Sequence, residues 1–446
     1  MFKSHILEFN DNILGLRDFV DLIDPFLNER FKEHDKFVQP LLISGFINKM
    51  KSSEELTDKE KQDIEKLEKK INEILQDTYE EIPDVELEIQ ESKPDSGDMI
   101  MKLRSGNDIE IGRHIERANK THNHIELLYK NSLISLLTSV EWFFSQVLHF
   151  YYDKYPESAN IQNRTLTLTD LKGFDSINDA QKYLIDIKVE EILRSDFANW
   201  INLLKKELKL GLGYIEPVEN KIIEIYQRRN LLVHNGGIVN SIYVSKVDKE
   251  FRENINLGDT LKVDKEYLDN SIAELQKGFI LIASELWKKL YPDDIERGEV
   301  LGVITYENLT QSRWNICEGL TYFSINDSGT DSVDRVVAQL NYWLCKKRTV
   351  GYEEIEEEVE KIDFSDKKEI FQLGLFAIKG DKDKFFKTLD IALETNQLNA
   401  ERLEEFPIFE EMRDTQEYKD FKSASSIFDE KSEPVDEITS EVKNSN

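Results

Sequence analysis

Between His122 and Tyr155 the chain runs "HNHIELLYKNSLISLLTSVEWFFSQVLHFYYDKY" without a glycine or a proline, and this stretch constrains the fold more than any other. Ile125, Leu128, Leu133, Leu136, Leu137, Val140, Phe144, Val147, Leu148 and Tyr151 recur at the spacing of one helix face. A face this wide must be covered, because fully burying a Leu, Val or Phe side chain is worth about 1.5–3 kcal/mol. The spacing predicts a long core helix in an all-α bundle, ending before Pro156.

Neighbouring segments repeat the helical period. Residues 163–210 read as further helices with turns at Gly173 and Ser176. The stretch "YIEPVENKIIEIYQRRNLLVH" opens near Pro217, carries Ile222, Ile223, Ile225, Tyr226, Leu231, Leu232 and Val233, and stops at Asn235, Gly236 and Gly237. Residues 264–290 add another amphipathic helix, so 110–292 reads as one bundle of four or five helices.

Residues 1–109 read as a separate N-terminal helical region. The clusters "ILGLRDFVDLI" and "FVQPLLISGFI" predict short amphipathic helices broken near Pro25 and Pro40. Thr57 and Glu60 have capping-box spacing, and the stripe of Ile64, Leu67, Ile71 and Leu75 behind them fits a short coiled-coil arm or a helix laid on its own domain. Alternation around Val85, Leu87 and Ile89 fits a hairpin or a linker equally well.

Beyond 293 the helices shorten, to about 306–320, 330–346, 366–379 and 382–395. The last two meet at Gly380 and Asp381, with Leu373, Phe376 and Ala377 expected to face Phe385, Phe386, Leu389 and Ala392, the format of a helical-repeat unit. Residues 293–422 thus read as a C-terminal helical-repeat-like domain, and the polar, acidic 423–446 as a disordered tail.

A formal charge of −30 disfavours a general nucleic-acid coat, which needs basic side chains facing the phosphates. After residue 350 there are 27 Asp and Glu against 13 Lys and Arg, so nearly half of the acidic excess sits in the last fifth of the chain and a local basic site elsewhere is permitted. No run of about 18 apolar residues occurs, and "MFKSHILEFNDN" lacks the secretory pattern, so a cytosolic protein without membrane partners is expected. Cys317 and Cys345 stand singly and read as core or near-surface residues. In "HNHIE", His122, His124 and Glu126 fall at i, i+2 and i+4, where the middle residue faces away, so no metal site is expected. With no GxxxxGK[ST], GxGxxG or GxSxG present, no cofactor is expected either.

The chemistry concentrates in "EIYQRRNLLVH". His234 falls in the last helical turn, where the negative end of the helix dipole favours a cation by about 0.3–1 kcal/mol at an exposed position. Asn230 lies one turn before it on the same face, whereas Arg229 lies five residues before, about 140° around and about 7.5 Å down the axis. Two readings follow from this spacing. Arg228 and Arg229 with His234 are the charged end of a capped helix, or they are part of a site that a second copy of the helix completes across a two-fold axis. In the second reading, guanidiniums hold a phosphodiester while the imidazole moves a proton during attack by a ribose hydroxyl.

"RRNLLVH" resembles the signature of the HEPN superfamily, in which an arginine and a polar residue precede a histidine after a short spacer; Arg229, Asn230 and His234 match these positions. The continuation "NGGIVNSIY", with Asn235, Gly237, Asn240 and Tyr243, is similar to that of a HEPN branch from bacterial defence proteins, and the long helix sits where that branch carries its first core helix. The resemblance covers about 110–292. It implies a HEPN-like bundle acting as a homodimeric, metal-independent endoribonuclease on RNA, a toxin or antiviral effector leaving 2′,3′-cyclic phosphate and 5′-hydroxyl ends. Arg229 would then hold the scissile phosphate, His234 would be the acid/base and Asn230 would orient them, with Arg228 and Glu224 as supporting neighbours and Glu224 pinning Arg229. Some relatives keep the fold as a noncatalytic dimerisation or binding module, which is the alternative. The end of the chain, "FPIFEEMRDTQEYKDF", resembles the closing unit of tetratricopeptide-like domains, which implies an arm at about 300–422 for a protein partner or trigger.

Overall fold

The computed structural model describes residues 2–51, 58–79, 85–91, 99–105 and 109–424. These residues are helical apart from one hairpin and connecting turns. Helices α1 (Phe2–Lys51) and α2 (Asp58–Thr78) precede strands β1 (Val85–Glu91) and β2 (Met99–Ser105), which pair antiparallel with Val85 opposite Ser105 and Glu91 opposite Met99. Next come α3 (Ile109–Lys154), α4 (Leu168–Leu171), α5 (Ile177–Leu193), α6 (Phe197–Asn202), α7 (Glu219–His234), α8 (Ser241–Lys246) and α9 (Lys265–Leu290). The remainder holds α10 (Glu296–Leu309), α11 (Trp314–Asn326), α12 (Ser332–Thr349), α13 (Glu356–Glu360), α14 (Glu369–Lys379), α15 (Lys382–Glu394), α16 (Ala400–Glu405), α17 (Glu410–Arg413) and α18 (Gln416–Ala424).

Two compact units interleave along the chain. The first comprises the described residues of Met1–Asp11, Val140–Ile223 and Ile272–Asn446, and the second Asn12–Ser139 and Glu224–Ser271. In the first, Val140, Phe144, Val147 and Leu148 of α3 are buried, Phe9 stacks on Phe143 at 4.3 Å, and Phe144 stacks on Trp200 at 4.5 Å. In the second, Leu133, Leu136 and Leu137 of the same helix are fully buried. Length and composition alone would let Ile111–Lys154 cross a membrane, but this burial is what a core helix shows.

Two expectations are corrected, the first and third below, and one open alternative is decided. First, 1–50 does not break at Pro25 and Pro40: α1 runs through both. Each proline removes one helical hydrogen bond and costs about 3 kcal/mol in a helix interior, so burial must outweigh it. In the second unit, Ile13, Val20, Val38, Leu41 and Ile47 of α1 are buried, Asp24 accepts from the Tyr129 hydroxyl and from Asn28 Nδ2, and Tyr79 donates to the Phe37 carbonyl beside Pro40.

Second, of the two readings of the stripe in α2, the helix laid on its own domain is the one found. Ile64, Ile71 and Leu75 pack with Leu41, Ile47 and Ile111, and only Leu67 of the stripe is exposed. The Thr57–Glu60 capping box lies outside the described residues. Third, the helix expected at 306–320 is two helices. The chain turns at Thr310–Arg313 with Ser312 at φ 55, and the Arg313 amide donates to the Asn308 carbonyl at 2.9 Å. With neither glycine nor proline at this turn, the composition held no punctuation to read.

Near the C-terminus α14 and α15 meet at Gly380 in the left-handed conformation, and Asp381 caps α15 by accepting from the Lys384 amide. Leu373, Ala377, Phe385, Leu389 and Ala392 share one core with Phe409, Met412 and Tyr418, and Phe376 and Phe386 pack against it. Arg413 ties this end together by donating to the carbonyls of Leu403 and Phe406 at 3.0 and 2.8 Å. Past Ala424 the acidic tail lies outside the described residues.

Candidate functional site

Pro217 sits in a 3-10 turn, Glu216–Val218, that leads directly into α7, which then runs unbroken to His234. The end of the helix is built by the residues that follow. Gly236 and Gly237 take φ values of 60 and 86, and the Gly237 amide donates back to the Leu231 carbonyl at 3.0 Å. Asn235 Nδ2 donates to the Ile238 carbonyl at 2.5 Å, and Asn240 caps α8 by accepting from the Tyr243 amide at 3.0 Å.

Backbone hydrogen bonds then fasten this turn to 258–261: Val239 to Asp259, Gly258 to Val239 and Leu261 to Gly237. Beneath it Leu231, Val239, Tyr243, Val247 and Leu261 form a small core. At Gly237 a Cβ would stand 2.7 Å from the Leu261 carbonyl oxygen, whereas at Gly236 it would meet open space. Gly237→Ala is therefore expected to lower stability by about 2–3 kcal/mol, and Gly236→Ala by about 1 kcal/mol, in urea unfolding.

Inside the turn lies a buried polar knot. Glu224, 3% exposed, accepts from Arg228 Nε at 2.7 Å, from the Tyr243 hydroxyl at 2.8 Å and from the Tyr267 hydroxyl at 2.7 Å. Arg228 also donates from Nη1 to the Lys262 carbonyl at 3.0 Å, and its guanidinium lies 4.0 Å from the centre of the Tyr267 ring. Burial opposes the Arg228 charge, but Tyr267, Glu224 and Tyr243 outweigh it and raise its pKa. Burial first and then Glu224 push the Tyr243 hydroxyl up, so it stays a donor.

Glu224 thus pairs with Arg228, where the sequence reading paired it with Arg229. The reason is helical: four residues bring side chains together and five do not. Both supporting candidates are taken up by the scaffold, and Arg228 is turned inward. Tyr267, on α9, was not anticipated; a tyrosine in "DKEYL" gives no sign that it reaches α7.

Arg229, Asn230 and His234 are not part of this knot's hydrogen bonds. Arg229 is half-buried and donates from Nη1 to Asn230 Oδ1 at 3.2 Å, while His234 is exposed at the helix end. Because α7 is unbroken, Asn230 and His234 sit one turn apart on one face, and Arg229 lies about 140° around from His234. Val233, Ile238 and Ile242, close by in sequence, are 45, 43 and 56% exposed. From Glu224 to Lys265 there are seven basic and six acidic residues, so the segment is close to neutral in a chain of charge −30. A guanidinium with an oriented neighbour and an accessible imidazole can bind an anion and transfer a proton.

Elsewhere, His122 pairs with Glu126 at 3.0 Å, and Lys262 also reaches Glu126. Among the described residues no three His, Cys, Asp or Glu side chains gather as metal ligands. Cys317 and Cys345 are free, buried in one core, and the neighbouring Cys317 and burial together push the Cys345 thiol up. In comparisons with family models, curated proteins and solved structures, nothing matches this chain.

Proposed function

We propose that the chain is a HEPN-type endoribonuclease that cuts RNA without a metal, as a homodimer in a toxin or antiviral response. The observation that carries this reading is the end of α7, where Asn230 holds Arg229 and His234 stands exposed one turn beyond Asn230. In the reaction the ribose 2′ oxygen attacks the adjacent phosphorus and the bond to the 5′ oxygen breaks. Arg229 binds the phosphate and offsets its growing charge, and His234 moves the proton from the 2′ hydroxyl towards the departing 5′ oxygen. Asn230 keeps the guanidinium in place. The products are a 2′,3′-cyclic phosphate and a 5′ hydroxyl.

The same helix supports a homodimer. One copy separates Arg229 from His234 by about 140° and about 7.5 Å, so a two-fold pair of α7 helices brings the arginine of one copy to the histidine of the other. The exposed Val233, Ile238 and Ile242 supply apolar surface for that contact. The α14–α15 pair and the closing residues to 422 form a tetratricopeptide-like arm for a protein partner or trigger.

The test is incubation of the purified protein with total RNA in EDTA, with analysis of the product ends and of the mass in solution. Cleavage giving cyclic phosphate and 5′-hydroxyl ends is expected from a dimer. If candidate triggers also fail to elicit cleavage while the dimer persists, the fold serves as a noncatalytic dimerisation or binding module.

A further inference from the structure

Helices α10 and α12 leave a trough between them that changes character along its length, and all of it lies within the first unit. One part, a cavity of about 340 Å³, is polar: Glu299 of α10, Asp334 of α12 and the hydroxyl side chains Thr321 and Ser324 of α11 line it. The other part, a cavity of about 210 Å³, is apolar, walled by Leu340 and Phe371 and by Tyr306 and Phe406, whose ring centres are 6.0 Å apart. Val337 and Asn341 line both parts. Gly302 keeps the polar part open, since nothing stands within 4 Å of where its Cβ would be.

Among the described residues no Lys, Arg or His lines either part. Asp334 is half-buried and no basic side chain acts on it: burial first, then Asp331 and Glu299, raise its pKa. The adjacent Arg335 is turned to the carbonyls of Asp327 and Thr330, both at 2.9 Å. Glu299 has only Lys3, at 3.9 Å, which also serves Glu296 at 3.7 Å. Thr321 and Ser324 donate to the carbonyls of Cys317 and Leu320, so their oxygens are left as acceptors. Thr330, 4% exposed, lines the same part with its hydroxyl buried and without a hydrogen-bond partner, a costly state for a desolvated polar group. We propose that this trough binds an arylalkyl amine, with its ammonium on Asp334 and Glu299 and its ring against Tyr306 and Phe406. The carboxylates and acceptor oxygens select a donor cation over an anion, and the apolar part selects a carbon body over a bare metal ion. From Asp334 to Leu340 the helix rises about 9 Å, a length that one ring on a short alkyl chain covers.

The experiment titrates the full-length protein by calorimetry with phenylbutylamine, and with phenylbutanol, phenylbutyrate and butylamine as comparisons that lack the charge, reverse it or lack the ring. Phenylbutylamine is expected to bind more tightly than all three and to raise the melting temperature. Asp334→Asn should weaken its binding by about tenfold or more, as loss of a charge-assisted hydrogen bond requires. Gly302→Leu should abolish it by filling the polar part, and should melt no lower than the parent because leucine is the better helix former, which separates lost binding from lost folding. Three results would overturn the proposal: no binding of phenylbutylamine at about 1 mM, equal or tighter binding of any of the comparisons, or unchanged binding in either variant.

Discussion

Glu224→Ala is expected to lower the free energy of unfolding by about 3–5 kcal/mol, measured by urea denaturation. The substitution strips the acceptor from three donors at once: Arg228 and the hydroxyls of Tyr243 and Tyr267. It leaves the Arg228 guanidinium inside the fold with no carboxylate, facing the Lys262 carbonyl, the Tyr267 ring and Tyr243. An unpaired buried charge is the costly product, so Glu224→Met combined with Arg228→Met should recover part of the loss. A drop below about 1 kcal/mol for Glu224→Ala would mean that the knot does not hold α7, the turn after it and α9 together.

Arg229→Ala and His234→Ala are each expected to slow RNA cleavage by about 10²–10⁴-fold, the range for losing a phosphate-stabilising donor or a general acid/base. Both should melt close to the parent protein, because His234 is exposed and Arg229 half-buried. Arg229→Lys should restore little, since an ammonium lacks the planar fork that grips two phosphate oxygens. The contrast with Glu224→Ala is the informative part. Loss of stability marks the scaffold behind the helix, and loss of rate without loss of stability marks the groups outside the knot. A normal cleavage rate in Arg229→Ala would remove the guanidinium from the mechanism.

The helical period in the sequence made the core helix visible, because a broad apolar face repeated over many turns has few alternatives to burial. The stop of α7 was equally legible: Gly236 and Gly237 announce left-handed backbone, and the structure puts both there. The same local signals failed at Pro25 and Pro40. A proline records only the cost of continuing a helix, whereas α1 continues with Val20, Val38 and Leu41 buried, Leu41 against Ile64, Ile71, Leu75 and Ile111 far along the chain.

The split at Thr310–Arg313 failed in the opposite sense, since Ser312 adopts a positive φ that serine does not advertise. At the candidate site the placement of Arg229, Asn230 and His234 at the end of α7 was readable, but the partners of Glu224 were not. Its link to Arg228 is one helical turn, which spacing could have offered in place of Arg229. Its link to Tyr267 spans 43 residues and depends on how α9 packs, which no local pattern encodes.

The most direct test uses an end-labelled RNA oligonucleotide and the purified protein in EDTA, comparing the parent with His234→Ala and identifying the ends of the fragments. The account predicts cleavage by the parent to 2′,3′-cyclic phosphate and 5′-hydroxyl ends, and its near-complete loss in His234→Ala. Cleavage that needs a divalent metal, or that persists at the parent rate without the histidine, would contradict it.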